Sequence, residues 1–289
     1  MEANIIFKKL DQIEDLPTLP AIAMEVNKML LDYNTTINKL SATIEKDQAM
    51  VSKLLKLVNS AFFGLGGKIS NISHAVVVLG FNTIRNAVVS TSIIDAFSIK
   101  EGLDGFDIRD FWKHSLAVAV TSKSLAERTG IRSIDDCFVG GLLHDMGKMV
   151  LLQHFRDLFQ EVWRAVKENN QSFYEAEKTQ IQIDHAQIGG YLARKWQLPM
   201  ALVDTIRNHH ALRSNVNDPS LSMIVHVSDI IVNTYAADSN SKSNAGLSDI
   251  HPDAVKAMGN QFDTISDWYP ELLLEIESAC KFFLEGQTK

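Results

Sequence analysis

Gly140-Gly141-Leu142-Leu143-His144-Asp145-Met146-Gly147-Lys148 is the most informative run of residues in the chain. An apolar helical run ends here at an adjacent histidine and aspartate, and Gly147, a residue type that can break a helix, follows them. Neighbouring side chains on a helix diverge by about 100°. His144 and Asp145 can therefore share a metal ion only if the ion lies across the helix end and has further ligands. The chain offers these at His114, His185, His209-His210 and Asp229.

The composition is that of an ordinary folded protein. Of the 289 residues, 46% are hydrophobic and 22% are charged, which is enough sequence for one large domain or two moderate ones. The formal net charge is −7, from 28 basic and 35 acidic residues. Because the chain has no basic run, it would gain little from releasing the counterions of a phosphate backbone. We therefore expect no nucleic-acid partner.

The cysteines and the apolar runs indicate the compartment. Cys137 and Cys280 are far apart, which is typical of a reducing compartment without structural disulfides, and we expect both to be packed rather than reactive. The stretch 1–9 lacks the apolar core and the cleavage site of a signal peptide. No apolar run approaches the roughly 20 residues of a membrane span. We expect a cytoplasmic protein without a membrane partner.

Almost every segment has helical periodicity, so the predicted fold class is all α. About six short helices are predicted in the first 97 residues. The turn-rich stretch 101–105, just before a helix that is capped by Asp107 and ends at Gly130, is the best internal boundary. The predicted parts are therefore an N-terminal helical part, 1–100, and a helical part with the metal site, 101–289. Asp184 is expected to cap the helix that begins at His185, and 238–246 to form a mobile surface loop.

Several candidate ligands lie on helix faces that are otherwise apolar. A lone histidine on such a face is more often a satisfied core residue than a ligand. A buried carboxylate is rarer, because it costs several kcal/mol unless it is paired or bound to a metal. One shared cation would satisfy all of these groups, and imidazole with carboxylate suits Fe, Mn, Zn, Ni or Co better than Ca or Mg. The faces are those of His114 with Phe111, Val118 and Leu125, of His185 with Gly189, Leu192 and Trp196, and of Asp229 with Val225 and Val232.

The order of these residues resembles a known signature. His114, then His144-Asp145, then Asp229 look like the H…HD…D pattern of the HD superfamily, which consists of all-helical, metal-dependent phosphohydrolases. The downstream histidines are similar to those of the HD-GYP branch, whose sites hold two or more metals and hydrolyse cyclic di-GMP.

The HD resemblance implies a role for each candidate residue. Asp145 would bridge two divalent ions and take part in catalysis, and Lys148 would meet a substrate phosphate. The ligands implied for one ion are His114, His144, Asp145 and Asp229. Those implied for a second ion are Asp145, His185 and His209, with His210 beside them.

Blocks in the N-terminal half resemble a narrower relative, the HDOD domain, which is the HD-related output domain of bacterial signalling proteins. The blocks are LPTLPA at 16–21, IEKDQAMVSKLLKLVNSAFFG at 44–64 and ISHAVVVLGFNTIRN at 72–86. The match covers roughly residues 10 to 235. HDOD domains are generally regarded as regulatory modules and many lack the metal ligands, whereas this sequence keeps the full set.

Two functions remain open from the sequence. The HDOD resemblance implies a regulatory output module with a mono- or dinuclear metal site, which would need a signalling protein as its partner. The HD resemblance implies a metal-dependent phosphohydrolase or phosphodiesterase that acts on a phosphate-containing ligand, a nucleotide or cyclic dinucleotide. After His209-His210 the chain has neither the expected acidic residue nor the Gly-Tyr-Pro motif, which weighs against cyclic di-GMP.

Overall fold

The computed structural model of the chain describes residues 3–13, 16, 18–29, 32, 34–60, 63, 65, 67–97, 103, 105–235 and 247–285. Within these residues the fold is all α, as the periodicity predicts. Extended pairing is limited there to one isolated bridge between Leu103 and Phe106. The predicted loop at 238–246 and positions 101, 102 and 104 of the predicted boundary lie outside the described residues.

The helices follow one another through short connections. In chain order they are α1 (Ala3–Gln12), α2 (Ala21–Met29), α3 (Ile37–Ile44), α4 (Gln48–Val58), α5 (Ile72–Leu79), α6 (Phe81–Ala96), α7 (Ile108–Thr129), α8 (Ile134–Leu143), α9 (Met146–His154), α10 (Arg156–Asn169), α11 (Phe173–Gln180), α12 (His185–Lys195), α13 (Met200–Asn208), α14 (Pro219–Tyr235), α15 (Pro252–Met258) and α16 (Ile265–Glu285). Two 3₁₀ turns, Leu247–Asp249 and Gly259–Gln261, flank α15.

Contacts group the chain into two compact units. One unit is Met1–Leu16 with Glu101–Trp268, and the other is Pro17–Lys100 with Tyr269–Lys289. The predicted parts, 1–100 and 101–289, differ from this grouping at both chain ends, because 1–16 group with 101–268 and 269–289 group with 17–100. The division into domains at residue 100 stays a prediction. Helix α1 belongs with the first unit because Asp11 accepts a hydrogen bond from the Tyr191 hydroxyl of α12 and lies 2.9 Å from Lys195 Nζ.

The unit that contains α2–α6 is a set of short, capped helices. The side chains of Thr36, Asp47 and Asn71 each accept a hydrogen bond from a backbone N–H in the first turn of α3, α4 and α5, which satisfies donors that a helix start leaves free. Helices α5 and α6 meet at Gly80, which has a φ of +88°. Taken together they have the length and composition of a membrane span, but the chain bends by 118° between them, and no single described helix meets that test alone.

The unit that contains α7–α15 is built around α7. Its ends are as predicted: the Asp107 side chain accepts from the backbone N–H of Arg109, and Gly130 ends the helix with a φ of +71°. Helix α7 packs against α8 and α14, while α12 packs against α13 and α9. Asp184 caps α12, as predicted. These pairs bring the ends of α8, α12 and α13 into one region.

Gly147 has a different role from the predicted helix break. The chain turns at His144-Asp145, and Gly147 lies in the first turn of α9. A Cβ atom there would lie 1.9 Å from the carbonyl oxygen of His185, which is far inside van der Waals contact. Glycine is therefore needed because α9 runs directly against the first residue of α12. Gly141 serves α8 in the same way, since its Cβ would lie 2.8 Å from Ala119 Cα in α7.

Candidate metal centre

All of the predicted metal ligands come together in the unit built around α7. Each is placed by the end or by the inward face of a helix. We define the first cluster as His114 of α7, His144 after α8 and Asp229 of α14. We define the second cluster as His185 of α12 and His209 and His210 after α13. Asp145 lies between them.

Asp145 turns one carboxylate oxygen toward each cluster. Its Oδ2 lies 3.4 Å from His144 Nε2 and 3.7 Å from His114 Nε2. Its Oδ1 lies 2.9 Å from His185 Nε2 and 3.8 Å from His209 Nε2. The side chain is 2% exposed. This geometry is that of a carboxylate that can bridge two cations.

The first cluster combines two imidazoles with a second carboxylate. Asp229 Oδ1 lies 3.1 Å from His114 Nε2 and 3.6 Å from His144 Nε2, and it accepts a hydrogen bond of 2.8 Å from the Asn233 side chain. His144 Nδ1 lies 2.7 Å from the carbonyl oxygen of Gly141. Because a carbonyl oxygen only accepts, Nδ1 is the donor, and Nε2 of His144 is left to face Asp145 and Asp229.

The second cluster holds three imidazoles around one point. His185 Nδ1 lies 2.6 Å from Glu177 Oε2, and His209 Nδ1 lies 2.8 Å from the carbonyl oxygen of Ile206. Both Nδ1 atoms therefore donate, and both Nε2 atoms point inward. His185 Nε2 is 3.4 Å from His209 Nε2 and 3.0 Å from His210 Nε2. Lone pairs on nitrogen atoms this close repel one another unless a proton or a metal cation lies between them.

The electrostatics favour one positive charge in each cluster. Burial opposes charge on His144, but the nearby carboxylates, Asp145 foremost, outweigh burial and raise the pKa of His144 to about 10. Burial also opposes charge on His185, but Glu177 and Asp145 raise its pKa to about 9. Burial lowers the pKa of His209 well below its ordinary value, so this imidazole is neutral. The charges that would hold a proton in either cluster would also hold a metal cation.

Two buried atoms at the middle of the site test whether a metal fits. His144 Nε2 and Asp145 Oδ1 have no hydrogen-bond partner among the described residues, although their side chains are 0% and 2% exposed. An unsatisfied buried polar atom costs free energy unless something else satisfies it. A cation would, and ligand sets of imidazole and carboxylate are those of transition-metal sites. The residues present therefore fit the binding of metal.

Lys148 lies at the edge of the first cluster. Its Nζ is 2.6 Å from Asp145 Oδ2 and 5.2 Å from the centre of the Phe173 ring, and its side chain is 18% exposed. Burial opposes its charge, but Asp145 outweighs burial and raises the pKa of Lys148, so the side chain is an ammonium. Its contact in the structure is with Asp145, and the phosphate contact implied by the resemblance stays a prediction.

Sequence reasoning missed two side chains that support the ligands, Glu177 and Asn233. Glu177 is fully buried in α11 behind His185, and Asn233 holds Asp229 from one turn further along α14. A signal for Glu177 was present, because it shares a helix face with Phe173 and Ile181, four residues to either side. A carboxylate on an apolar face was the same signal that singled out Asp229.

Comparison with known proteins identifies the family. The sequence model of the HDOD domain family matches residues 16–212, which is more than half of the chain. The chain therefore belongs to this family. An uncharacterized protein from Treponema pallidum (strain Nichols) is 30% identical over 203 residues, which cover 70% of this chain and 39% of that protein. The chain thus spans less than half the length of this relative.

Solved structures share the fold. An HDOD domain protein of unknown function from Geobacter sulfurreducens matches with a TM-score of 0.81 and 24% identity, over 97% of this chain and 98% of that one. A candidate phosphohydrolase from Shewanella amazonensis SB2B has a TM-score of 0.74 and 22% identity, over 95% and 97%. A candidate signal transduction protein from Marinobacter aquaeolei VT8 has a TM-score of 0.75 and 20% identity, over 93% and 60%.

Proposed function

We propose that this chain is a signal-transduction output module whose unit around α7 holds a dinuclear metal centre, and that its output is contact with a partner protein. The observation that supports this best is the enclosure of the centre. His144 and His185 are 0% exposed and Asp145 is 2% exposed. Ions held there would chiefly tie α7, α8, α12, α13 and α14 together, and so control the shape and stability of the surface that a partner meets.

The ligand chemistry supports divalent transition metals. One ion would be held by the first cluster and Asp145 Oδ2, the other by the second cluster and Asp145 Oδ1. Both sets mix imidazole with carboxylate, which suits Fe, Mn, Zn, Ni or Co. The name of the Marinobacter structure, a candidate signal transduction protein, is in line with a signalling role.

A second candidate function is hydrolysis of a phosphate ester. It is favoured by the open edge of the first cluster, where His114 is 23% exposed and Lys148 is 18% exposed. A bound cation would polarise water and a phosphoryl oxygen, while the Lys148 ammonium would offset charge on the phosphate. The Shewanella structure is named as a candidate phosphohydrolase. The substrate would be a nucleotide, a cyclic dinucleotide or another phosphodiester.

Elemental analysis tests the proposed metal centre. The protein is purified without added chelator beside a His144→Ala/Asp145→Ala double variant whose helical content is checked by circular dichroism. We expect one to two equivalents of transition metal in the wild type and none in the folded variant. A wild-type protein that takes up no metal, even when offered each of the five candidate ions, would overturn the proposal.

A turnover screen then separates the module from the enzyme. The metal-loaded protein is offered generic phosphodiesters, nucleotides and cyclic dinucleotides, with Lys148→Ala as the matched variant. If no substrate turns over, the regulatory module stands. Turnover that falls sharply in Lys148→Ala while its metal content is unchanged would instead establish the phosphohydrolase.

A further inference from the structure

We propose that Glu177 is a positioning residue that makes the second cluster the tighter of the two metal sites. This inference rests on the proposed metal centre and adds a residue to it that offers no ligand atom to either ion. Glu177 acts through His185, which it holds by two hydrogen bonds.

Both oxygens of the Glu177 carboxylate engage His185. Oε1 accepts from the backbone N–H of His185 at 2.9 Å, and Oε2 lies 2.6 Å from the ring Nδ1. Glu177 and His185 are both 0% exposed. The first contact fixes the start of α12 and the second fixes the rotation of the ring, so Nε2 of His185 is aimed at Asp145 Oδ1, 2.9 Å away.

Within the described part of the chain, no carboxylate lies behind His144 in the first cluster. There the Nδ1 atom donates to the neutral carbonyl oxygen of Gly141. A hydrogen bond to a carboxylate is roughly twice as strong as one between neutral groups, and it raises the basicity of the metal-binding nitrogen. Glu177 therefore adds one negative charge and a more basic ligand to the second cluster only.

The buried carboxylate also needs an explanation of its own. Glu177 is fully enclosed, and an enclosed carboxylate is costly unless a cationic group compensates for it. His185 provides that compensation when it carries a positive charge or is bound to a metal ion. A residue that only fills space at this position would be apolar, as Ala176 and Ile181 nearby are.

Glutamine is the informative replacement because it keeps the shape and removes one acceptor. If its carbonyl faces Nδ1 of His185, its amide NH₂ faces the backbone N–H, and two donors meet. If the amide faces Nδ1 instead, the ring proton is driven to Nε2, the nitrogen that must bind the ion. Either orientation weakens the second cluster and leaves the first cluster unchanged.

The experiment measures Zn²⁺ affinity by competition with a chromophoric chelator. In a His144→Ala background, which isolates the second cluster, we expect Glu177→Gln to weaken binding about 10- to 100-fold. In a His185→Ala background, which isolates the first cluster, we expect a change of less than about threefold. The matched control is Glu175→Gln, an exposed residue of the same helix whose capping role glutamine can take over.

The outcomes separate this inference from the proposed function. A wild-type protein without metal overturns the proposed centre itself. If Glu177→Gln binds both ions as tightly as the wild type does, only the role of Glu177 is overturned. If Glu177→Gln does not fold, proton NMR of the Zn²⁺-loaded wild type provides the test. We expect the Nδ1–H signal of His185 to lie further downfield, and its proton to exchange more slowly, than that of His144. Equal chemical shifts and exchange rates would overturn the inference.

Discussion

The two ligand clusters share Asp145 and differ in almost everything else. The first cluster is rich in oxygen, since Asp229 joins the shared carboxylate, and its His114 is 23% exposed. The second cluster consists of three histidines with a single shared oxygen, and His185 is 0% exposed. Neutral groups support the first cluster, whereas the carboxylate of Glu177 supports the second.

In the proposed centre, one bridging residue would serve two unequal sites. Nitrogen-rich ligand sets suit Zn, Fe, Ni and Co, while an added carboxylate and access to water suit Mn as well. We therefore expect the ion of the second cluster to be the more tightly held and the slower to exchange. An ion in the first cluster would be the one that phosphate or other solutes reach, because His114 is 23% exposed.

The largest expected effect comes from removing what the clusters share. Asp145→Asn keeps the volume but takes one full charge from both sites, so we expect both ions to be lost. At metal concentrations of 100 times Kd, each ion stabilises the fold by about 2.7 kcal/mol, so roughly 5 kcal/mol of metal-linked stability should vanish. Elemental analysis and thermal unfolding with and without chelator measure the two changes.

The control for this variant is Asp157→Asn, an exposed residue in the first turn of α10. It should keep both ions and change the free energy of unfolding by less than about 0.5 kcal/mol. A metal content of two in Asp145→Asn would show that Asp145 does not bridge.

A smaller effect should follow when one cluster is removed at a time. His144→Ala should lose the ion of the first cluster and keep the second, and His185→Ala should do the reverse, each at a cost of about 2.7 kcal/mol under the same conditions. The absorption spectrum of bound Co²⁺ distinguishes the two variants, because the ligands of the histidine-rich second cluster differ from those of the first cluster. If either variant loses both ions, the clusters form one cooperative site and the comparison fails.

The smallest expected effect tests the packing that holds the clusters together. Gly147→Ala places a Cβ within 1.9 Å of the His185 carbonyl oxygen, so α9 and α12 must move apart. We expect a loss of about 1–3 kcal/mol in the free energy of unfolding, and weaker binding at the second cluster, measured by urea unfolding and Zn²⁺ competition.

Gly67→Ala is the matched control for that variant. A Cβ at Gly67 would meet no atom within 4 Å, so the free energy of unfolding should change by less than about 0.5 kcal/mol. Equal losses in Gly147→Ala and Gly67→Ala would show that the approach of α9 to α12 is looser than the structure indicates.

Much of the fold and of the site follows from local sequence signals. The all-α class, the cap at Asp107, the stop at Gly130 and the cap at Asp184 were all predicted, because each depends on residues within one or two turns. The grouping of α1 with α12 was not, since it depends on contacts between positions as distant in sequence as Asp11 and Tyr191.

The site shows the same limit. The candidate ligands stood out because a histidine or carboxylate on an apolar face conflicts with its own surroundings, and the structure brings all of them together. Glu177 shares a helix face with Phe173 and Ile181, but that pattern does not say which group its carboxylate supports. The roles of Glu177 and Asn233 exist only because the packing of α11 and the turn of α14 bring them against two of the ligands.

Local sequence signals predict which helices form and which side chains need a partner inside the protein, because periodicity and capping act over a few residues. Helix packing decides that Asp145 divides its two oxygens between unequal clusters, that α9 passes directly against α12 at Gly147, and that Glu177 lies behind one histidine. The physical reason is distance: hydrogen bonds and charges act over a few ångströms, and which residues come that close is settled by helix packing.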